Sequence, residues 1–227
     1  MDYFINQFLP YFRQMFPMLV KGLKITAYLS LVSFSIALVL AVLITVLQLL
    51  NNKAINSVIN VFKAYCRATP VLIQLFIFYY GLPEVIEPLK AIPKTAALAI
   101  CLSLNSAAYI SEILRGAIDS VDRGQYEASI SFGMSLPTAM RRVILPQASV
   151  AATPSIINAF LDLIKMTSLG MTVGIMDIMG SAQYTAAVTY RTLETYLIAA
   201  VFYWAIIIVV TQFQKKFERR ISVAYKK

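Results

Sequence analysis

The run from Ile25 to Leu50 holds 26 residues without one Asp, Glu, Lys or Arg. A helix crosses the hydrocarbon core of a bilayer with about 20 apolar residues, so this run is long enough by itself. Four further stretches share its character. Ile55 to Pro83 carries Lys63 and Arg67 in its first half, where they can lie near a membrane face. Thr95 to Ser111 is uncharged over 17 residues, and Thr195 to Gln214 over 20. Ala148 to Met176 is apolar except for Asp162 and Lys165. Composition agrees. Residues AVILMFWYC make up 59% of the 227, and only 14% are charged, against roughly 25% in soluble domains. The expected fold class is therefore an all-α integral membrane protein with five transmembrane helices, forming one domain over residues 25–214.

The flanks read differently. Residues 1–24 carry the aromatics Tyr3, Phe4, Phe8, Tyr11, Phe12 and Phe16 and read as an interfacial amphipathic segment. They are not read as a cleaved signal peptide: the first apolar run far exceeds an h-region of about 7–15 residues. Residues 215–227 form a basic tail. With the C-terminus inside, thirteen of the 20 Lys and Arg fall on the inner side and six outside, Lys165 lying within a span. The positive-inside rule then gives N-out, C-in. The net charge of +9 thus reads as an inner-face charge. No basic stretch is interleaved with aromatics as a nucleic-acid groove requires, so no nucleic-acid partner is expected.

Several chemistries lack their residues. The chain has no histidine, which removes His-based triads and histidine metal ligands. Cys66 and Cys101 have no C-x-x-C partner, so neither a disulfide scaffold nor a metal site is expected. No catalytic residues and no cofactor in this chain are expected.

The largest polar block, Arg115 to Gln147, lies between the third and fourth spans. Glu127 to Phe132 reads as a short helix ended by Gly133. Ser135-Leu136-Pro137 opens a second, with proline in its first turn, and Pro146 marks the boundary with span four. Two short helices with a glycine corner, held at the inner membrane face, suit docking into a groove on a partner.

These residues carry a resemblance. Glu127-Ala128-Ser129, three residues, Gly133, nine residues, then Val143-Ile144-Leu145-Pro146 resembles the EAA loop of binding-protein-dependent ABC importer permeases. That motif reads E-A-A, three residues, G, nine residues, I-x-L-P; Ser129 and Val143 are mild departures. Arg67-Ala68-Thr69-Pro70 with Gln74-Leu75-Phe76, Ala107-Ala108-Tyr109, Ser111-Glu112, Arg115-Gly116 and Lys165-Met166-Thr167-Ser168-Leu169 are similar to the polar amino-acid uptake branch. Gly174 to Met179 and Arg191 to Glu194 are also similar to permeases for cystine and related sulfur amino acids.

The resemblance implies a type I importer permease in a bacterial plasma (inner) membrane. It implies a coupling site for a cytoplasmic ATPase at Glu127, Ala128, Ser129, Gly133, Arg141 and Pro146. The adjacent Arg141 and Arg142 cannot share one helix face. No G-x-x-x-x-G-K-[ST] is present, so ATP and Mg belong to the partner. The implied partners are two copies of that ATP-binding subunit, a second permease chain (identical or sister), and an extracytoplasmic substrate-binding protein. The last is expected on the outer loops Leu82 to Pro93 and Asp177 to Arg191. Membrane lipid and an amino-acid substrate complete the set.

Charged and polar side chains inside spans are costly and mark function or packing. Asp162 and Lys165, three apart, share a helix face. They read as a self-neutralising pair, or as a zwitterion site. The family usually has an acid after the lysine, where this chain has Met166; Asp162, one turn earlier, can stand in for it. Thr167 and Ser168, followed by Gly170 and Gly174, let the span loosen, or else serve as a small-residue packing face. Arg67 can bind a carboxylate or snorkel to lipid phosphate. Pro70 frees a carbonyl near Cys66. Asn105, with Tyr109 one turn on, and Gln74 are site candidates or interhelical glue. Glu112 and Arg115 are expected to pair. Met166, Met171, Met176 and Met179 cluster around span four's outer half and would suit a sulfur-containing substrate, or simply pack.

An intramembrane enzyme is left without a mechanism by the missing histidines and paired aspartates. An ATP-independent carrier has only Asp162 and Lys165 as deep titratable groups.

Overall fold

The computed structural model describes residues 4–225, and every element in them is helical. A π turn, Phe4–Phe8, leads into α1, Leu9–Leu49, a helix of 41 residues. The boundary drawn at Ile25 is not a break: the described part of the first segment continues the same helix. The reason is a stripe at every fourth residue. Tyr11, Met15 and Leu19 are buried with Ile178, Ala182, Ile198 and Ala199, so this stripe has a protein partner.

A tight turn reverses the chain. Asn51 takes the left-handed conformation at φ 55°, which asparagine tolerates better than most residues. Asn52 then caps α2, Lys53–Ala68, accepting from the amides of Ala54 and Ile55. The expected second span is not one straight helix. Thr69 is extended, as the residue before a proline prefers. The chain restarts as α3, Val71–Phe76, a π turn, Ile77–Gly81, and α4, Leu82–Val85. The two halves, Lys53–Ala68 and Val71–Val85, meet at 108°.

A 3-10 turn, Glu87–Ala91, precedes α5, Lys94–Asp119. α5 packs on α1 through small side chains: Ala37, Ala41, Ala107 and Ile110 form one buried cluster, and the Ser33 hydroxyl donates to the Ala99 carbonyl at 3.3 Å. Small residues let membrane helices approach closely, so dispersion replaces the hydrophobic effect that lipid cannot supply.

Asp122 caps α6, Arg123–Ser131, accepting from Gly124 N–H at 2.6 Å. Gly133 turns the corner at φ 80°. The second short helix expected after it is not separate. α7, Leu136–Ala139, a π turn, Met140–Ile144, α8, Leu145–Met166, and a 3-10 turn, Thr167–Val173, form one span, Leu136–Val173, of 38 residues. Pro146 does not end it. In the π turn the Leu145 amide reaches back to the Met140 carbonyl, and that widening accommodates the proline's missing donor. Where Thr167, Ser168, Gly170 and Gly174 predict loosening, the α-helix instead tightens to 3-10 at Thr167 and ends at Gly174, φ 74°.

Asp177 to Arg191, read as an open outer loop, contains α9, Ile178–Thr189, packed against α1 and α10, Thr192–Tyr225. Ile178, Ser181, Ala182, Thr185 and Ala186 are buried at helical spacing. Gly22 of α1 permits the approach, because a Cβ there would lie 2.6 Å from the Asp177 carbonyl oxygen. The Asp177 carboxylate is fully buried and accepts from Gly180 N–H at 2.8 Å. Burial pushes its pKa up, and this cap hydrogen bond pulls the other way. Among the described residues, four helices are long and apolar enough to cross a bilayer, or five if the bent pair is one span.

Candidate binding cavity

A cavity of about 920 Å³ opens between α5 and α8. One wall is the α5 stripe Asn105, Ser106, Tyr109 and Ile113; the other is Ser155, Asn158, Ala159, Asp162, Lys165 and Met166 of α8, with Ser168, Leu169 and Val71 closing it. Both walls follow the three- and four-residue spacing of one helix face. Asp162 and Lys165 form an ion pair at 2.6 Å, each with more than half of its side chain exposed. The pair therefore neutralises itself while remaining open to a ligand carrying both charges.

Of the residues singled out from the sequence, Asn105, Tyr109, Asp162, Lys165, Met166 and Ser168 line this cavity. Thr167 does not. It is fully buried, and its hydroxyl donates to the Ile164 carbonyl at 2.8 Å. Gln74 also lies outside the lining. Its amide donates to the carbonyls of Cys66 and Thr69, each at 3.1 Å. Asn105 lines the wall, but its amide donates to the same Cys66 carbonyl at 2.8 Å. Pro70 frees that carbonyl, and two side chains accept the task of pairing it. Arg67 also lies outside the lining, with its guanidinium carbon 6.0 Å from the ring centroid of the lining residue Tyr109, within cation–π range. Of the four methionines around span four, only Met166 lines this wall.

Ser155 and Asn158 were not among the sequence candidates. Stepping back from Asp162 by three and four residues along one helical face would have found them. The expected Glu112–Arg115 pair does not form. Glu112 instead bonds Lys63, which is 4% exposed and also donates to Gln48 Oε1 at 3.1 Å. Arg115 turns to Asp119 at 3.7 Å. Lys63 is thus held inside the protein, and its buried ammonium has the carboxylate partner that burial demands.

On the polar connection, Glu127, Ala128, Gly133, Arg141 and Arg142 are exposed. Ser129 is buried and donates to the Gln125 carbonyl at 2.6 Å. Pro146 is half-buried in the first turn of α8. Beside them Tyr126, Ile130, Phe132 and Leu136 leave apolar surface bare, Phe132 at 86% exposure. Large exposed apolar side chains grouped on one corner mark an interaction surface.

Comparison with known proteins agrees with this architecture. Residues 37–223 match the family described as "Binding-protein-dependent transport system inner membrane component". A probable amino-acid ABC transporter permease, PatM of Vibrio harveyi, is 38% identical over 95% of this chain and 96% of its own. Two Bacillus subtilis proteins are nearly as similar. The arginine transport permease ArtQ is 33% identical over 91% of this chain and 93% of its own. The L-cystine transport permease TcyL is 34% identical over 91% and 88%. A solved structure titled as an amino acid ABC transporter with histidines superposes with a TM-score of 0.88, at 32% identity, over 94% of this chain and 98% of that one. The chain belongs to the family of inner-membrane permease components of binding-protein-dependent ABC importers, which leave ATP hydrolysis to a partner subunit.

Proposed function

We propose that this permease carries an amino acid, and that the cavity between α5 and α8 is its binding site. The observation that carries this reading is the Asp162–Lys165 pair facing the cavity. An amino acid offers an ammonium and a carboxylate a short distance apart. Asp162 attracts the first and Lys165 the second, and the ligand takes over the partner each side chain already has. Asp162 then does the work of the acid that Met166 replaces. Asn158, Ser155 and Tyr109 supply neutral hydrogen bonds, and Arg67, beside Tyr109, is placed for a carboxylate on its way in or out.

The substrate class is a polar amino acid. The likeness to an arginine and a cystine permease is almost equal, so neither name selects the side chain. A sulfur amino acid is favoured here by Met166 alone, since Met171, Met176 and Met179 stand away from this wall. A thermal-shift screen of the cognate binding protein against amino acids decides between them.

α6 and its glycine corner form the coupling site for the ATPase, with Phe132 and Ile130 as apolar anchors beside Glu127. The chain lies N-out and C-in, and a second permease chain, identical or sister, completes the pathway. The outer docking surface for the binding protein is then the segment Leu82 to Pro93 with the exposed side of α9, Tyr184 and Val188, and Tyr190 just past its end.

The test is uptake in proteoliposomes holding the assembled transporter. Asp162→Asn abolishes uptake and leaves assembly intact; uptake at the wild-type rate would remove Asp162 from the site. Gly133→Trp or Glu127→Lys abolishes substrate-stimulated ATPase activity while the permease still inserts; full stimulation in both variants would remove α6 from the coupling site.

A further inference from the structure

A second cleft, of about 340 Å³, lies where α1 and α5 end and α2 begins, at the end of the bundle that leads into α6. It is set apart from the cavity above, and its lining is mixed: Gln48, Asn51, Asn56, Asn60, Arg115 and Asp119 are polar, and Leu49 and Ile118 are apolar. Pockets that bind small groups begin at about 300 Å³. Three features point to an occupant. Asn56 Oδ1 is buried and accepts no hydrogen bond, an arrangement that costs free energy unless a donor arrives. Arg115 and Asp119 meet only loosely, at 3.7 Å and with more than half of each side chain exposed, so their hydrogen-bonding capacity is not used on each other. Asn51 is held at φ 55°, a conformation that lets the α1–α2 turn close one side of the cleft.

These groups match a zwitterion: an anionic group toward Arg115, and an ammonium toward Asp119 and Asn56 Oδ1. The surroundings choose between a free amino acid and a lipid headgroup. Leu49 lines the cleft, and Val46, Leu50, Val58 and Val61 beside it on α1 and α2 are exposed. In a membrane chain those side chains lie against acyl tails. We infer that the cleft between α1, α2 and α5 binds the headgroup of an aminophospholipid, its phosphate on Arg115 and its ammonium between Asp119 and Asn56. The choline of phosphatidylcholine is a weaker fit, since a trimethylated nitrogen has no proton to donate to Asn56 Oδ1.

Occupancy has a route inward. Gln48 donates to Asn60 Oδ1 at 3.2 Å and accepts from Lys63 at 3.1 Å, and Lys63 holds Glu112. A headgroup in the cleft therefore orders the amides that steady the buried ion pair, and it does so beside the junction of α5 and α6.

The experiment uses the purified full-length permease in detergent. Thermal unfolding is followed with short-chain phosphatidylethanolamine, phosphatidylcholine or phosphatidylglycerol, and with free glutamine, arginine and cystine as separate arms. Phosphatidylethanolamine raises Tm; phosphatidylcholine and phosphatidylglycerol do so only at about tenfold higher concentration, the consequence of losing one charge-assisted hydrogen bond. Asn56→Leu and Arg115→Gln each weaken the phosphatidylethanolamine effect about tenfold, and Arg115→Lys restores part of it. Equal effects of phosphatidylethanolamine and phosphatidylcholine would overturn the assignment. So would an unchanged response in both variants, or the same shift from a free amino acid in the wild type and its loss in the variants. Should Arg115→Gln fail to fold, Asn56→Leu and the headgroup series decide. Transport plays no part in the readout, so failure here leaves the reading of the α5–α8 cavity standing.

Discussion

α5 is held by two neighbours in two different ways. Against α1 it presents Ala107 and Ile110, and the seam closes on Ala37 and Ala41 with no charge in it. Against α2 and α3 it presents Asn105 and Glu112, which bond the Cys66 carbonyl and Lys63. The prolines of those two neighbours behave accordingly. Pro17 lies inside α1 and the helix runs on; Pro70 separates α2 from α3 by a bend of 108°. A proline removes one donor and crowds one carbonyl wherever it sits. The difference is what surrounds it. The break at Pro70 is stable because Gln74 and Asn105 pair the carbonyl it frees. In a bilayer an open carbonyl has no water to turn to, so a chain bends there only where side chains have been provided.

The sharpest way to break this contrast is Glu112→Leu, which leaves the Lys63 ammonium buried with only Gln48. A loss of about 3 kcal/mol is expected, the lower end for a broken buried pair because Glu112 is partly exposed. Unfolding in mixed micelles reads it, and a loss below a few tenths would show that α2 is not held by charge. Asn105→Leu comes next, at about 1 kcal/mol for one lost hydrogen bond, because Gln74 still pairs the Cys66 carbonyl. Combining it with Gln74→Leu should cost more than the sum of the two, because only the double variant leaves the Cys66 carbonyl they share without a partner. The smallest effects test the prolines directly and have opposite signs. Pro17→Ala restores a donor inside a continuous helix and stabilises by about 1 kcal/mol, less than the ~3 kcal/mol of an isolated helix because the native packing has adapted to the ring. Pro70→Ala leaves a non-helical position more flexible when unfolded and destabilises by roughly 0.4–1 kcal/mol. The same sign for both would mean that the two sites differ in position only.

Much of this was legible because a bilayer leaves few options. Ile25 to Leu50, Thr95 to Ser111 and Thr195 to Gln214 had to be helices, and they are. Cavity residues such as Asp162 and Lys165 declared themselves by being charged inside an apolar run. Residues of the opposite kind went unread. α9 buries Gly180, Ser181, Ala182, Thr185 and Ala186, side chains too small and polar to register as a hydrophobic stripe. Ser155 and Asn158 were hidden likewise, ordinary until the face they share with Asp162 is drawn. Partner choice was the other gap. Nothing in spacing alone said that Glu112 would prefer Lys63, 49 positions away, to Arg115 three residues on; the decision belongs to burial, because only Lys63 lacks water.

The unbroken span Leu136–Val173 has a mechanical consequence. It begins three residues after the glycine corner and carries Asp162 some 26 residues along its length, about 39 Å at 1.5 Å per residue. A single shaft therefore runs from the exposed Phe132 end to the charged wall of the cavity. Whatever tilts one end is carried to the other, with the widened turn at Met140–Ile144 and the proline inside the helix, Pro154, as the places where the shaft can give. There, stiffening or loosening the backbone would change how far the shaft swings without touching either end.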